Sequence, residues 1–305
     1  MGEYYPFPHS QSDPESLVVS FINCVGNTVS VTCADVRISG FQPRSNGIGR
    51  FDTRAGEFAR SGSKSSQQTE AVNPEKAIAQ ADSHNECLDL MHRLMAYRHE
   101  PIHSELMKVR DKYSMLHLDV LILIYHFAKI CSGAILEIGA FVGGATIAAA
   151  FGVRDLEQRK KLIAIEPGGS VKHKRLGTRN ILRDLERNLA RERVAEMVTL
   201  VKGQSFKPET MSAVRQALGS DHVGLLILDA DAAKRRDIDC YHDRFADGCW
   251  MVIDDVYGAD ANEKITASRA DVDWSVAAGD LEPLGFYGWS TWVGRWRGHR
   301  AKVIH

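Results

Sequence analysis

The chain has 305 residues, 44% of them hydrophobic and 25% charged, with a formal net charge of −1. That length means one large domain or two smaller ones with a core big enough to stand without disulfide staples, and the charge balance argues against a nucleic-acid partner drawn in by a strong field. No run reaches the length of a membrane span and the first residues lack a basic-then-apolar leader. The cysteines (Cys24, Cys33, Cys87, Cys131, Cys240, Cys249) form no C-x-x-C pair, so the expectation is a cytoplasmic protein with reduced thiols.

Residues 1–15, with Pro6, Pro8 and Pro14, read as an irregular arm. Leu17–Ile22 and Thr28–Thr32, separated by Gly26-Asn27, alternate as a hairpin does, and Val36–Ile38 suggests a further strand. Residues 42–75 are rich in Gly, Ser, Arg and Gln and read as a linker or long loop, with room for a short hairpin between Phe51 and Phe58. The domain expectation is therefore a small β appendage with its linker over 1–75, followed by the main domain over 76–305. From about residue 75 the period turns helical. Leu88, Met91, Leu94 and Met95 share a face, His103–Lys112 continues in that style, and Leu118–Ile130 is a strongly apolar helix ending at Gly133. Strands and helices then alternate. The strands are Ala134–Ile138, Leu162–Ile165, Val198–Val201, Val223–Leu228 and Trp250–Ile253. The helices are Ala145–Phe151, Thr178–Ala190, Pro208–Leu218, Lys234–Phe245 and Asn262–Ala278. Five continuous apolar strands separated by helices predict an α/β fold with a parallel sheet covered on both faces. Leu281–Phe286 and Trp289–Trp296, split by Tyr287-Gly288, predict a closing antiparallel hairpin.

The densest signal is Glu137-Ile138-Gly139-Ala140-Phe141-Val142-Gly143-Gly144, where an apolar strand meets an acidic residue and a glycine-rich turn that opens a helix. Glycine lets a backbone approach a ligand at a helix N-terminus. A dinucleotide fingerprint needs glycine where Phe141 stands, and a P-loop needs lysine where Ala145 stands, so both are excluded. What remains, acidic-x-Gly-x-x-x-Gly-Gly, resembles the first motif of the class I S-adenosylmethionine (SAM)-dependent methyltransferases.

That resemblance covers roughly residues 85–297. It implies a Rossmann-like methyltransferase fold, a mostly parallel seven-stranded sheet whose last strand inserts antiparallel. It also implies a SAM site at three successive strand ends. Gly139 and Gly143, with Gly144, would admit the methionine and ribose portions, and Glu137 would contact the ligand or orient the loop. Glu166 fits the ribose acid, because a carboxylate can accept both hydroxyls. Gln204 and Ser205 fall in the loop that closes on adenine. Taken singly, the glycines could serve tight packing, Glu166 could be a solvated carboxylate, and Ser205 could cap the helix at Pro208. Tyr113–His117 corresponds to a segment that gates the cofactor in related enzymes, and equally suits an ordinary helix start.

The fourth strand ends Asp229-Ala230-Asp231 and the fifth Asp254-Asp255. Four carboxylates at adjacent strand ends repel unless a cation sits between them, and an oxygen-only set suits Mg²⁺, Ca²⁺ or Mn²⁺ rather than zinc. Capping of the following helices would account for Asp231 or Asp255 alone. The pattern resembles the metal-dependent O-methyltransferases of the catechol and of the antibiotic- and sugar-tailoring types, which implies Asp229, Asp254 and Asp255 as metal ligands. In those enzymes a Lys or His three residues after the first ligand is commonly the general base; here Ala232 stands there. Lys234, two residues further on, would fall at that offset only if Asp231 were the ligand; the alternatives are His242, His84, His92, His99 or His103, or no base at all if the metal alone acidifies the hydroxyl. The expectation is a SAM- and Mg²⁺-dependent O-methyltransferase acting on a small molecule with vicinal oxygens (a sugar, a catechol or a natural product under tailoring). No nucleic-acid or membrane partner is expected, and homo-oligomerisation is left open. The alternatives are an N-acceptor or non-methyl-transfer SAM enzyme, or a silent SAM-fold protein.

Overall fold

The strand ends of a parallel sheet are useful only if both its faces are covered, and the alternation along each strand shows how this is done. The computed structural model describes residues 18–22, 28–32, 74–156, 159–258 and 262–298, with side chains from residue 85 onward. The elements in chain order are β1 (Val18–Ile22), β2 (Thr28–Thr32), α1 (Pro74–Tyr97), α2 (Pro101–Tyr113), α3 (Leu118–Ile130), β3 (Ala134–Ile138), α4 (Gly144–Arg154), β4 (Leu162–Glu166), α5 (Ile181–Arg191), β5 (Val198–Lys202), α6 (Pro208–Leu218), β6 (Val223–Leu228), α7 (Lys234–Tyr241), β7 (Phe245–Ile253), α8 (Glu263–Ala278), β8 (Leu281–Tyr287) and β9 (Thr291–Trp296). Successive residues of a strand face opposite sides. Ile135, Leu225 and Ile227 therefore pack with α1–α5, and Leu136, Ile138, Leu226 and Leu228 with α6–α8. Every residue of β3, β4 and β6 is buried, which is why these strands read as near-continuous apolar runs, interrupted only by Glu137 and the terminal Glu166. Among the described residues no helix is long and apolar enough to cross a membrane.

The sheet order is β2-β1-β8-β9-β7-β6-β3-β4-β5. Strands β5, β4, β3, β6 and β7 pair in parallel, and β9 enters antiparallel between β7 and β8. These seven strands have the expected architecture. Strand order reverses between β3 and β6, which opens a crevice at their carboxyl ends, where α/β sheets bind ligands. The N-terminal hairpin forms as expected from Val18–Ile22 and Thr28–Thr32. It adds to the sheet edge, with Ser20 opposite Phe286. The expected strand at 36–38, the hairpin at 51–58 and most of the linker lie outside the described residues.

Three local expectations are corrected. The α7 region does not run helical to Phe245. It closes with a short 3-10 turn at His242–Arg244, and Phe245 already pairs with Val223 in β7. The polar Asp247-Gly248 step hid this strand start, because Gly248 takes φ 70° at a register shift that interrupts the apolar pattern. In α1 the buried stripe is Cys87, Leu90, Leu94 and Tyr97, while Leu88 and Met95 are exposed. The last strand begins at Thr291, so Trp289 belongs to the hairpin turn and is 68% exposed.

Candidate active site

Gly139 is the pivot of the cleft. Its φ of 94° is left-handed, and a Cβ there would strike the backbone carbonyl of Asp229. Only glycine lets the end of β3 turn this close to the end of β6. The strand ends are stitched across this point. Gly139 N–H donates to the Ile165 carbonyl, Asp229 N–H to Ile138 and Asp254 N–H to Leu228, each at 3.0 Å. The loop then reaches Gly143, the left-handed N-cap of α4, and the helix starts with Gly144, Ala145 and Thr146. No side chain caps this N-terminus, so its dipole is turned on the cleft that Gly144 and Ala145 line.

The cleft holds about 330 Å³. It runs from the Tyr113–Leu116 segment, past Glu137, Gly139 and Glu166, to Gln204, Ser205, Asp229 and Lys264. Gly143 lies behind this wall, where a Cβ would come within 2.9 Å of the Leu185 side chain; its glycine serves packing and the left-handed cap. Glu166 is buried, and both its carboxylate oxygens accept backbone N–H groups, from Phe141 at 2.7 Å and Gly168 at 2.8 Å. The acid at the end of β4 thus holds the glycine loop in place. Burial raises its pKa, against the pull of those two N–H groups. Glu137 is buried on the α4 side, and one oxygen, Oε2, has no hydrogen-bond partner among the described residues. Burial pushes its pKa up to about 8, with Glu166 adding repulsion and Thr146 opposing.

Ser205 does not cap α6, whose N-cap is Lys207 with no side-chain bond. Its hydroxyl donates to the buried Asp237 carboxylate at 2.6 Å, and its carbonyl accepts from Tyr241 OH at 2.6 Å. Asp237 and Arg236 are site neighbours that motif reading missed; Arg236 lines the cleft and sits over the Phe206 ring.

At the other end, one carboxylate oxygen from each of Asp229, Asp254 and Asp255 falls within 4.8 Å of the others. Asp254 Oδ1 is oriented by Ser290 at 2.9 Å and Thr291 at 2.5 Å. Burial, then the charge of Asp254, raises Asp229 well above the usual carboxylate range; burial, then Asp255, raises Asp254. Asp231 stands apart, accepting from Ala233 N–H at 2.9 Å beside the start of α7 and pairing with Arg236 at 3.1 Å. Asp255 caps nothing; Asn262 caps α8, and Asp255, at φ 59°, pairs with Lys264.

Two lysines face this cluster. Lys234 is 0% exposed, lines no part of the cleft, and its ammonium has no hydrogen-bond partner among the described residues. Burial lowers its pKa, with Asp229 opposing. Lys264 lines the cleft. Burial pulls its pKa down, but Asp229 and Asp255 more than offset this and hold it raised. No sequence signal marked Lys264, which reaches the site only because α8 starts beside the end of β7. Of the histidines named as alternative bases, His92, His99, His103 and His242 do not line the cleft, and the side chain of His84 lies outside the described residues.

No curated protein matches the sequence. Solved structures similar to it include the O-methyltransferase TomG from Streptomyces achromogenes, involved in tomaymycin synthesis and in complex with SAM. It shows 16% identity, 65% of this chain and 91% of that chain covered, and a TM-score of 0.48. Another is cofactor-bound Rv0187 from MTB, at 18% identity, 75% and 100% coverage and a TM-score of 0.47. A third is an O-methyltransferase from Bacillus cereus in complex with SAH, at 14% identity, 71% and 91% coverage and a TM-score of 0.43. The profile of a family described as a methyltransferase domain matches residues 136–256, which run from within β3 to just past the Asp254-Asp255 pair. Over those residues the chain resembles a methyltransferase domain, and the glycine pivot and the acids at successive strand ends lie within the matched stretch.

Proposed function

We propose that the protein transfers the SAM methyl group to an oxygen of a small molecule bearing vicinal oxygens, with a divalent cation at Asp229, Asp254 and Asp255. In this reading residues 76–305 make the catalytic domain, and 1–75 an appendage whose hairpin extends the sheet at β8.

The observation that carries the reading is the adjacency of two unlike groups of strand ends: the cleft at β3–β4–β5 reaches Asp229 and Lys264, and Asp254 and Asp255 stand beside Asp229 without lining it. The β3–β4–β5 ends suit SAM. Glu137 Oε2 is buried without a partner, so it fits a cationic donor such as the amino-acid end of the cofactor. Glu166 can still accept on its remaining lone pairs, and Gln204 and Ser205 line the wall where adenine would lie. The β6–β7 ends suit a hard cation. Three carboxylates converge there, and Ser290 and Thr291 bond to one oxygen of Asp254 and so orient its carboxylate. When bound, such a cation would lower the pKa of a vicinal hydroxyl and orient it. The residues of this chain would exclude water, hold the acceptor beside the sulfonium and set the line of attack. Lys234 is too enclosed to meet an acceptor, so its part beside Asp229 is that of a fixed positive charge.

The test is turnover in chelator. Activity on catechols or sugar diols should vanish and return with Mg²⁺ or Mn²⁺, while S-adenosylhomocysteine binding persists throughout. Full activity in excess chelator would refute the metal assignment and leave the SAM site standing.

A further inference from the structure

We infer that Lys264 is a built-in counter-cation of the acidic cluster, which an incoming divalent cation must displace from Asp255. The inference rests on the metal reading above and concerns how that site is filled.

With the cluster fully ionised, as a bound cation requires, Asp229, Asp254 and Asp255 bring three negative charges to within 4.8 Å of one another. Lys234 supplies one positive charge that cannot leave, because its side chain is 0% exposed at the start of α7. The remaining deficit is two charges. Lys264, in an ion pair with Asp255, fills half of it. A divalent cation fills all of it. The site therefore favours exchange of a tethered monovalent charge for a free divalent one, and the second lysine sets the valence.

Geometry makes the exchange feasible. The Lys264 side chain is 41% exposed and lines the cleft, whereas that of Asp255 is 28% exposed. A lysine is a point charge on a flexible four-carbon stem, so it can leave without moving the backbone. Its backbone N–H is held by the Asn262 cap at 3.0 Å, which keeps the root of the side chain fixed while the ammonium moves. Once displaced, the ammonium remains inside the cleft, on the side where an acceptor oxygen would sit. Until then it keeps the three carboxylates from forcing one another apart.

The experiment titrates the full-length protein with Mn²⁺ and follows free Mn²⁺ by electron paramagnetic resonance, without acceptor and without turnover. Removing a unit charge a few ångströms from the cation, at an effective dielectric near 20, should tighten binding by about tenfold or more in Lys264→Gln. Lys264→Arg, which keeps the charge, should stay close to the wild type. Thermal melting gives a second readout. Mn²⁺ should raise the melting temperature of Lys264→Gln more than that of the wild type, because the metal-free variant lacks its counter-charge. If all three proteins bind Mn²⁺ alike, or Lys264→Gln binds more weakly, the counter-cation role is overturned and the metal site stands. If none binds Mn²⁺, the metal reading falls and this inference falls with it.

Discussion

The two halves of the cleft are built on opposite principles. The proposed cofactor half, at the ends of β3, β4 and β5, is held by backbone. Glu166 grips two N–H groups of its own loops, Gly139 and Gly203 N–H groups bond to carbonyls of β4, and glycine permits the close approach. The acceptor half, at the ends of β6 and β7, is held by charge. Two lysines offset part of the charge of three carboxylates, with two hydroxyls orienting one carboxylate oxygen. A ligand entering the first half meets a preformed surface. On the counter-cation inference, a cation entering the second displaces Lys264. Substitutions in the first half should therefore read out as affinity and stability, and those in the second as turnover and metal dependence.

The sharpest break in this contrast would come from Asp254→Ala. Losing a cation ligand should remove several kcal/mol of transition-state stabilisation, about 10²–10⁴-fold in turnover, with S-adenosylhomocysteine affinity kept within about threefold. Steady-state kinetics beside calorimetric titration would show it, and an equal loss in both measurements would mean that the halves are not separable.

Glu166→Ala tests the other side. Removing charge-assisted bonds worth about 1.5–3 kcal/mol each should weaken S-adenosylhomocysteine binding by at least about tenfold. Mn²⁺ binding should be unchanged. Unaltered cofactor affinity in calorimetry would strip Glu166 of its assigned place.

Glu137 sharpens the contrast through pH. Its folded-state pKa of about 8 lies above the ordinary 4.5. The folded protein thus holds a proton that the unfolded chain has released over that window. Its contribution to stability is full below pH about 4.5 and is lost as the pH rises through 8, with a slope approaching about 1.4 kcal/mol per pH unit. Glu137→Gln should flatten that dependence, so that the ligand-free variant melts higher than the wild type near pH 8 and nearly with it near pH 4.5. Parallel melting curves at both pH values would contradict a buried, protonated Glu137.

The smallest effect is expected at Ser205→Ala. Asp237 loses one of its hydrogen bonds but keeps Arg236, so the cost should be about 1 kcal/mol of stability. Chemical denaturation measures it. A loss several times larger would mean that Asp237 depends on Ser205 more than its other contact suggests.

Legibility in the sequence follows the same divide. The glycine loop, Glu137 and Glu166 were readable because each lies within a few residues of the strand end that it serves. The three aspartates were readable because parallel strands place their carboxyl ends side by side. Lys264 was not readable, since it lies nine residues beyond Asp255 on a helix whose phase is set by packing. Nor did spacing reveal that Lys234 would be sealed in, that Gly143 would face Leu185, or that Ser205 would turn to Asp237.

What the sequence alone determined is the local pattern. Mostly apolar runs such as Ala134–Ile138 and Val223–Leu228 mark buried parallel strands, and a strand end followed by glycine and a small-residue helix marks a tight turn at the strand's carboxyl end. What only the tertiary structure decided is which long-range partners complete that pattern: β9 slotted between β7 and β8, the N-terminal hairpin joined to β8, Phe245 recruited into β7, and Lys264 brought against Asp255. The physical reason is that periodicity and turn chemistry act over a few residues, whereas the meeting of two charges or two edges depends on how whole elements dock.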